Sequence, residues 1–302
     1  MRIATRGSAL ARWQAEHVAG LLRAGDPATA FELVIVDTAA DKRLDIPIAA
    51  MGGKGVFVKE VQAAVLDGRA DFAVHSAKDL PSITHDALAL GAVPERGDPR
   101  DALVGSRLAD LAPGAVVATG SIRRRAQLAH RRPDLGFAEL RGNMQTRLAK
   151  AEGFDAIVVA AVALERLGLA DHLAEVLPVD VMLPQVGQGA LAVECRADDE
   201  DARGALAGIE HPASRRRVDA ERAFLAELGG DCDLPAGAYA TIGPDGRVTL
   251  EAVLAAPDGS TVLRDVATGS DGHALGSALA RALLDAGGRE LLSPPPLDLP
   301  DG

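Results

Sequence analysis

Short apolar runs alternate with helix-patterned stretches through the first two thirds of this 302-residue chain. "RIATR" reads as a strand, and Ser8 as the cap of a helix whose Leu10, Trp13, His17, Val18 and Leu21 recur at helical spacing. "FELVIVDT" is a strand again, followed by a helix from about Phe57 to Leu66 and by the strand-like "DFAVHS" and "LALGAVP". After a short charged link around Pro99 the rhythm restarts: "ALVG", "VVATG", a helix over Ser121 to His130, "GFAEL", a helix from Asn143, "FDAIVVA" and a helix ending near Leu167. Strands separated by helices call for parallel α/β layers. The last third changes character. "GALAVECR" leads to helices near Asp198 to Ala207 and Ser214 to Leu228, and "RVTLEAVLA" and "TVLRDVAT" then flank a Pro-Asp-Gly turn at Pro257. That turn and a second Pro-Asp-Gly at Pro244 to Gly246 are antiparallel hairpin signals, so a small α+β unit follows, closed by a helix from His273 to Ala286. The tail "SPPPLDLPDG" is too polar and Pro-rich to form a core and is expected to be loose.

Composition narrows the function. The net charge is -11, with one Trp, one Tyr and six Phe, which argues against a nucleic-acid binder, whose basic surface is interleaved with stacking aromatics. The longest apolar run, "AIVVAAVAL", is far short of the roughly 20 residues that span a bilayer. Met1 leads straight into a strand-like run, so a cytoplasmic protein without a membrane partner is expected. Cys195 and Cys232 form no disulfide framework and match no zinc spacing, and no metal is expected.

Against that acidic background, Thr119 to Arg147 holds seven arginines and two acidic residues, which suits a small polyanion in a cleft. Open parallel sheets bind ligands where loops leave the carboxyl ends of the strands. The charged motifs fall there: Arg6 after "RIAT", Ser76 to Asp79 after "DFAVH", Thr119 to Arg124 after "VVA", and Arg141 to Arg147 after "FAEL". "GGKG" is not a Walker loop, because its Lys precedes the last Gly and no Ser or Thr follows; it reads as a turn or as a flap carrying Lys54. "GQGALA" fits a loose dinucleotide fingerprint, but a strand rather than a helix follows it. "HSAKD" is either a structural turn or a site where a carboxylate beside a lysine manages protons. Cys195 sits in an alternating run and reads as core, whereas Cys232, in "GGDCDLPAG", reads as a reachable thiol flanked by Asp231 and Asp233.

Taken together, "RIATRGSALARWQA", "GGKGVFVKE", "DFAVHSAKDLP", "TGSIRRRAQL", "RGNMQTRL", "GQGALAVECR", "AERAFL" and "CDLPAGAYA" closely resemble the hydroxymethylbilane synthase (porphobilinogen deaminase) family. The resemblance implies an enzyme of tetrapyrrole biosynthesis, a transferase that joins four porphobilinogen molecules head to tail with release of ammonia. It implies a dipyrromethane cofactor held by a thioether to Cys232. Each pyrrole carries an acetate and a propionate, which accounts for the arginines. By the same resemblance Asp79 is catalytic. Ser76, Lys78, Thr119, Ser121, Arg123, Arg124, Arg141 and Asn143 bind cofactor; Arg6, Gln14, Lys54, Arg147, Arg166 and Gln188 bind substrate. The implied fold is α/β, with two periplasmic-binding-protein-like domains of mostly parallel sheets joined by a chain crossover, and a small α+β C-terminal domain. The expected divisions are 1-94 with 189-208, 98-184, 212-292, and the tail 293-302. A monomer is expected.

Overall fold

The computed structural model describes residues 1–38, 58–229 and 234–292. Three sheets organise the described residues. In the first, β1 (Arg2–Arg6), β2 (Glu32–Val36), β3 (Phe72–Ser76), β4 (Leu88–Ala92) and β10 (Leu191–Arg196) lie in the order β2-β1-β3-β10-β4. In the second, β5 (Asp101–Val104), β6 (Val116–Ala118), β7 (Gly136–Ala138), β8 (Ala156–Ala160) and β9 (Leu173–Val176) lie in the order β7-β6-β8-β5-β9. The chain crosses from the first sheet to the second after β4 and returns after β9. The returning strand β10 runs antiparallel to both its neighbours, as does the arriving strand β5; the other four strands of each sheet share one direction. Their carboxyl ends therefore collect along one side of each sheet.

Helices cover the faces. Helix α1 (Ala9–Gly25) starts at Ser8, whose hydroxyl accepts from the Ala11 N–H at 3.3 Å, and buries Ala15, Val18, Ala19 and Leu22 against Ile3, Phe72 and Val74. Helix α2 (Lys59–Leu66) turns Val61, Ala64 and Val65 onto Ala4 and Ala73 on the opposite face. Each such fully buried aliphatic side chain contributes about 1.5–3 kcal/mol relative to an exposed one. Over the second sheet lie α3 (Ile122–Arg131), α4 (Met144–Ala151) and α5 (Ala161–Arg166). Helix α6 (Glu200–Ala207) returns to the first sheet, where Ala202 and Leu206 pack beside Cys195, which is buried as its alternating strand position predicts.

The third sheet is the antiparallel meander β11 (Ala236–Ile242), β12 (Val248–Ala255) and β13 (Val262–Gly269), backed by α7 (Pro212–Glu227) and α8 (Gly272–Leu283). Phe224 and Leu279 meet Leu250 and Leu254 in its core. Between sheets, Gly187 and Gly189 have φ of +71° and +87°, and a Cβ on Gly189 would stand 2.6 Å from the Gly97 carbonyl oxygen. The strand Leu191–Arg196 follows them directly, so this "GQG" is a joint between crossing segments and opens no helix.

Candidate active site

Strand β3 ends at Ser76 and tightens into one 3-10 turn, Ala77–Asp79. The Ala77 N–H donates to Ala190 O at 3.0 Å and the Leu80 N–H to Ala77 O at 3.3 Å, while Pro81 holds Leu80 extended. The turn is thereby fixed to the returning strand, and it presents Lys78 and Asp79 at the sheet's carboxyl edge. From α1, the buried Gln14 donates Nε2 to Ser76 Oγ at 2.8 Å. A cavity of about 70 Å³ lies here, lined by Arg6, Ser8, Gln14, His75, Ser76 and Asp79 among others.

The second sheet contributes the cations. The Thr119 N–H donates to Ala138 O at 2.9 Å, and Thr119 Oγ1 accepts from the Ser121 N–H at 3.2 Å at the start of α3. The next turn carries Arg123 and Arg124, 2% and 5% exposed, so α3 buries its charged face. Both guanidiniums meet the fully buried Asp101, Arg123 Nη2 at 2.8 Å from Oδ2 and Arg124 Nη2 at 2.8 Å from Oδ1; Arg123 also donates to Leu183 O at 2.6 Å and Arg124 to Val158 O at 2.9 Å. Asn143 caps α4, accepting from the Thr146 N–H and Oγ1, each at 3.0 Å, and Arg147 Nε donates to Gly142 O at 2.8 Å. Arg141 Nη1 is buried with no hydrogen-bond partner among the described residues.

Bridging the two sheets is Gln188, 0% exposed. Its Nε2 donates to Pro99 O at 2.7 Å and Asp101 Oδ1 at 2.9 Å, and its Oε1 accepts from Lys78 Nζ at 3.1 Å. With its amide fully engaged, Gln188 supports Lys78 from beneath. Arg166, at the end of α5, donates Nη2 to Gly189 O at 2.7 Å and lies 5.3 Å over the Trp13 ring, which is itself stacked on His17.

Charge is crowded here. Burial, then repulsion from Arg124, pushes Lys78 down to about 8, against the attraction of Asp79 and Asp101. Burial and Arg124 also bring Arg147 down to about 10, opposed by Asp79 and Glu139. For Asp101 burial alone would raise the carboxyl, but Arg123 and Arg124 reverse it and hold it at about 2, so it stays ionised. Asp79 has no ion pair among the described residues.

Of the residues singled out from sequence, Arg6, Gln14, Ser76 and Asp79 share the small cavity. Lys78, Arg123, Arg124 and Gln188 share the Asp101 network, and the Arg147 guanidinium senses Arg124, Arg141 and Asp79. Ser121 and Asn143 stand at helix starts, and Arg166 packs on Trp13. Lys54 and Cys232, with Asp231, Asp233 and the tail from 293, lie outside the described residues. The pattern of the sequence did not single out Asp101, whose only signal is an acid opening an apolar strand, or Glu139. Trp13 registered only as an apolar helix position. A larger groove of about 750 Å³ opens between β4 and α6, past Glu210 and Arg215. Those two are spent on the Val93 N–H and Leu90 O, and its lining among the described residues includes no Ser, Thr, Cys or His.

The fold and the cleft define an α/β protein that gathers buried cations at its strand ends beside Asp79, a carboxylate with no ion pair among the described residues, an arrangement suited to holding a polycarboxylate. Two family models match this chain: "Porphobilinogen deaminase, dipyromethane cofactor binding domain" over residues 1–204 and "Porphobilinogen deaminase, C-terminal domain" over residues 215–285. The chain belongs to the porphobilinogen deaminase family. A porphobilinogen deaminase of Chromobacterium violaceum is 49% identical over 298 residues, covering 96% of each chain. One of Brevibacillus brevis is 45% identical over 297 residues, covering 97% of this chain and 96% of that one. A solved nutrient binding protein from Burkholderia cenocepacia, bound to methionine, overlays with a TM-score of 0.43 at 11% identity, covering 76% of this chain and 96% of that one. The protein is accordingly a transferase of tetrapyrrole biosynthesis with a dipyrromethane cofactor. The residues present fit such a group: Arg141 Nη1 is buried with no hydrogen-bond partner among the described residues, and Arg124 lowers both Lys78 and Arg147, a local crowding of positive charge that carboxylates would relieve.

Proposed function

We propose that the enzyme condenses four porphobilinogen molecules head to tail, releasing ammonia at each step, with Asp79 as its catalytic carboxylate and Cys232 as the thioether anchor of the cofactor. The observation that carries the reading is an acid with no ion pair among the described residues, set in a rigid turn beside Lys78 and within the field of Arg147. As ammonia leaves the aminomethyl group, positive character develops at the pyrrole nitrogen; Asp79 offsets that charge and then takes the proton lost in coupling. When bound, dipyrromethane supplies the pyrrole carbon to which the first ring is joined. Lys78, Arg123, Arg124 and Arg141, with Ser76, Thr119, Ser121 and Asn143, would hold its carboxylates. Arg6, Arg147 and Arg166, with Lys54, receive those of the substrate. Planar forks match carboxylates in a way an ammonium cannot, which favours Arg over Lys at these positions. The domain divisions 1-94 with 189-208, 98-184 and 212-292 follow the three sheets in this reading.

Mass spectrometry tests the assignment. The wild-type protein should carry the mass of two linked pyrroles, Cys195→Ser should keep it and Cys232→Ser should lack it. Asp79→Asn should bind porphobilinogen yet turn over more slowly by orders of magnitude; near-normal turnover would remove Asp79 from its role.

A further inference from the structure

Arg123 and Arg124 are adjacent, buried and alike in charge, and a single carboxylate answers both. Asp101 opens β5, the strand that runs against its neighbours β8 and β9, and is 0% exposed. Its Oδ1 accepts from Arg124 Nε at 3.0 Å and from Gln188 Nε2 at 2.9 Å, and Oδ2 lies 2.8 Å from Arg123 Nη2. Through the Gln188 amide it also reaches Lys78, 3.1 Å from Oε1. The other contacts of these guanidiniums, Leu183 O and Val158 O, give direction but no countercharge.

We propose that Asp101 is a positioning residue of the anion site, setting the headings of Arg123 and Arg124 by direct ion pairs and that of Lys78 through Gln188. The proposal rests on the reading of the cleft given above. Two neighbouring cations in a medium of low dielectric repel strongly, and an uncompensated one turns toward water or reorganises the packing around it. A carboxylate at this point keeps both forks where carboxylates from the cleft can meet them. It also has an effect that packing alone lacks. The charges facing the Lys78 ammonium are Asp79 on its own turn, Asp101 from β5, and Arg123 and Arg124 from α3. The acids hold its proton on and the guanidiniums drive it off, so neutralising Asp101 should release the Lys78 proton at lower pH.

The test uses the full chain as Asp101→Asn, with Arg123→Gln and the double variant Asp101→Asn/Arg123→Gln, whose net charge equals that of the wild type, as a second pair. The pH dependence of acetylation at Lys78, read by mass spectrometry, reports the amine without turnover; kcat and KM for porphobilinogen are measured alongside. In Asp101→Asn, Lys78 should become reactive at a pH lower by roughly one unit, and KM should rise about tenfold while kcat changes less. Should Asp101→Asn fail to fold, the comparison moves to the pair. The double variant should titrate Lys78 lower, and show a higher KM, than Arg123→Gln alone. Identical Lys78 titration with and without Asp101 overturns the proposal. Wild-type KM in Lys78→Met would instead count against the cleft reading on which it rests.

Discussion

Lys78 and Asp79 are consecutive residues of one short turn, and the proposed chemistry asks opposite things of them: Lys78 is to hold a proton and grip a carboxylate, Asp79 to accept a proton. The turn answers with position. Lys78 reaches inward to Gln188, where burial and Arg124 bring its ammonium to about 8, while Asp79 faces the cavity shared with Arg6 and Gln14. A cation whose affinity is lowered in this way is charged below about 8 and loses its charge as pH rises through that value. If Lys78 grips a substrate or cofactor carboxylate, kcat/KM for porphobilinogen should fall along an alkaline limb centred near 8. Lys78→Arg, which cannot deprotonate in this range, should lose the limb. A limb that persists unchanged in the arginine variant assigns it to some other group.

At the scale of elements, most of the alternation was legible because its signals are local. Ser8 caps α1, Asn143 caps α4, and the strands β1, β3, β8 and β10 fall inside the runs that predict them. One strand, Leu173–Val176, was not anticipated, being a short half-buried edge without strong alternation, whereas Ala236–Ile242, rich in Ala and Gly, was signalled only by the Pro-Asp-Gly turn that follows it. The burial of α3 was also beyond local reading: "IRRR" looks like a solvated face until β5, some twenty residues earlier, brings Asp101 beneath it. Positions of the site residues along the strand ends were readable from topology rules, but the ion pairs that hold them depend on long-range contacts. The same holds for "GQG", whose glycines follow from a close crossing. Gly189→Ala would force a Cβ to within 2.6 Å of Gly97 O at a φ of +87°. It should destabilise the protein by more than about 1 kcal/mol and, because Gly189 O accepts from Arg166, raise KM as well. Denaturant melts with paired kinetics check both; a melt unchanged from wild type would show that the crossing relaxes freely.

For the whole molecule, the question is what makes three sheets behave as one. The buried pair Arg96–Glu221 sits where they meet, with side chains 2% and 0% exposed. Glu221, on α7, accepts from Arg96 Nη1 at 2.6 Å and Nη2 at 3.1 Å, from the Gly187 N–H at 2.8 Å and from the β11 N–H of Ala240 at 2.9 Å. Arg96 in turn donates Nε to Gln188 O at 2.8 Å and lies over Tyr239 at 5.6 Å. One carboxylate therefore ties the C-terminal sheet to both crossing segments, a turn away from the Gln188 amide that supports Lys78. Replacing Glu221 by Leu leaves the Arg96 charge and two buried N–H groups without their acceptor. Removing one member of such a pair costs about 3–5 kcal/mol. Arg96→Met should cost less, because Glu221 would keep its two backbone donors. The loss should also be local: with this tie removed, residues 212-292 should unfold before the paired α/β sheets, splitting a shared transition in two. Following Trp13 fluorescence, which reports the contact of α1 with Arg166 and not the C-terminal sheet, together with circular dichroism for the whole chain gives the comparison. Coincident curves in Glu221→Leu, merely shifted to lower denaturant, would show that the sheets are coupled through contacts other than this pair.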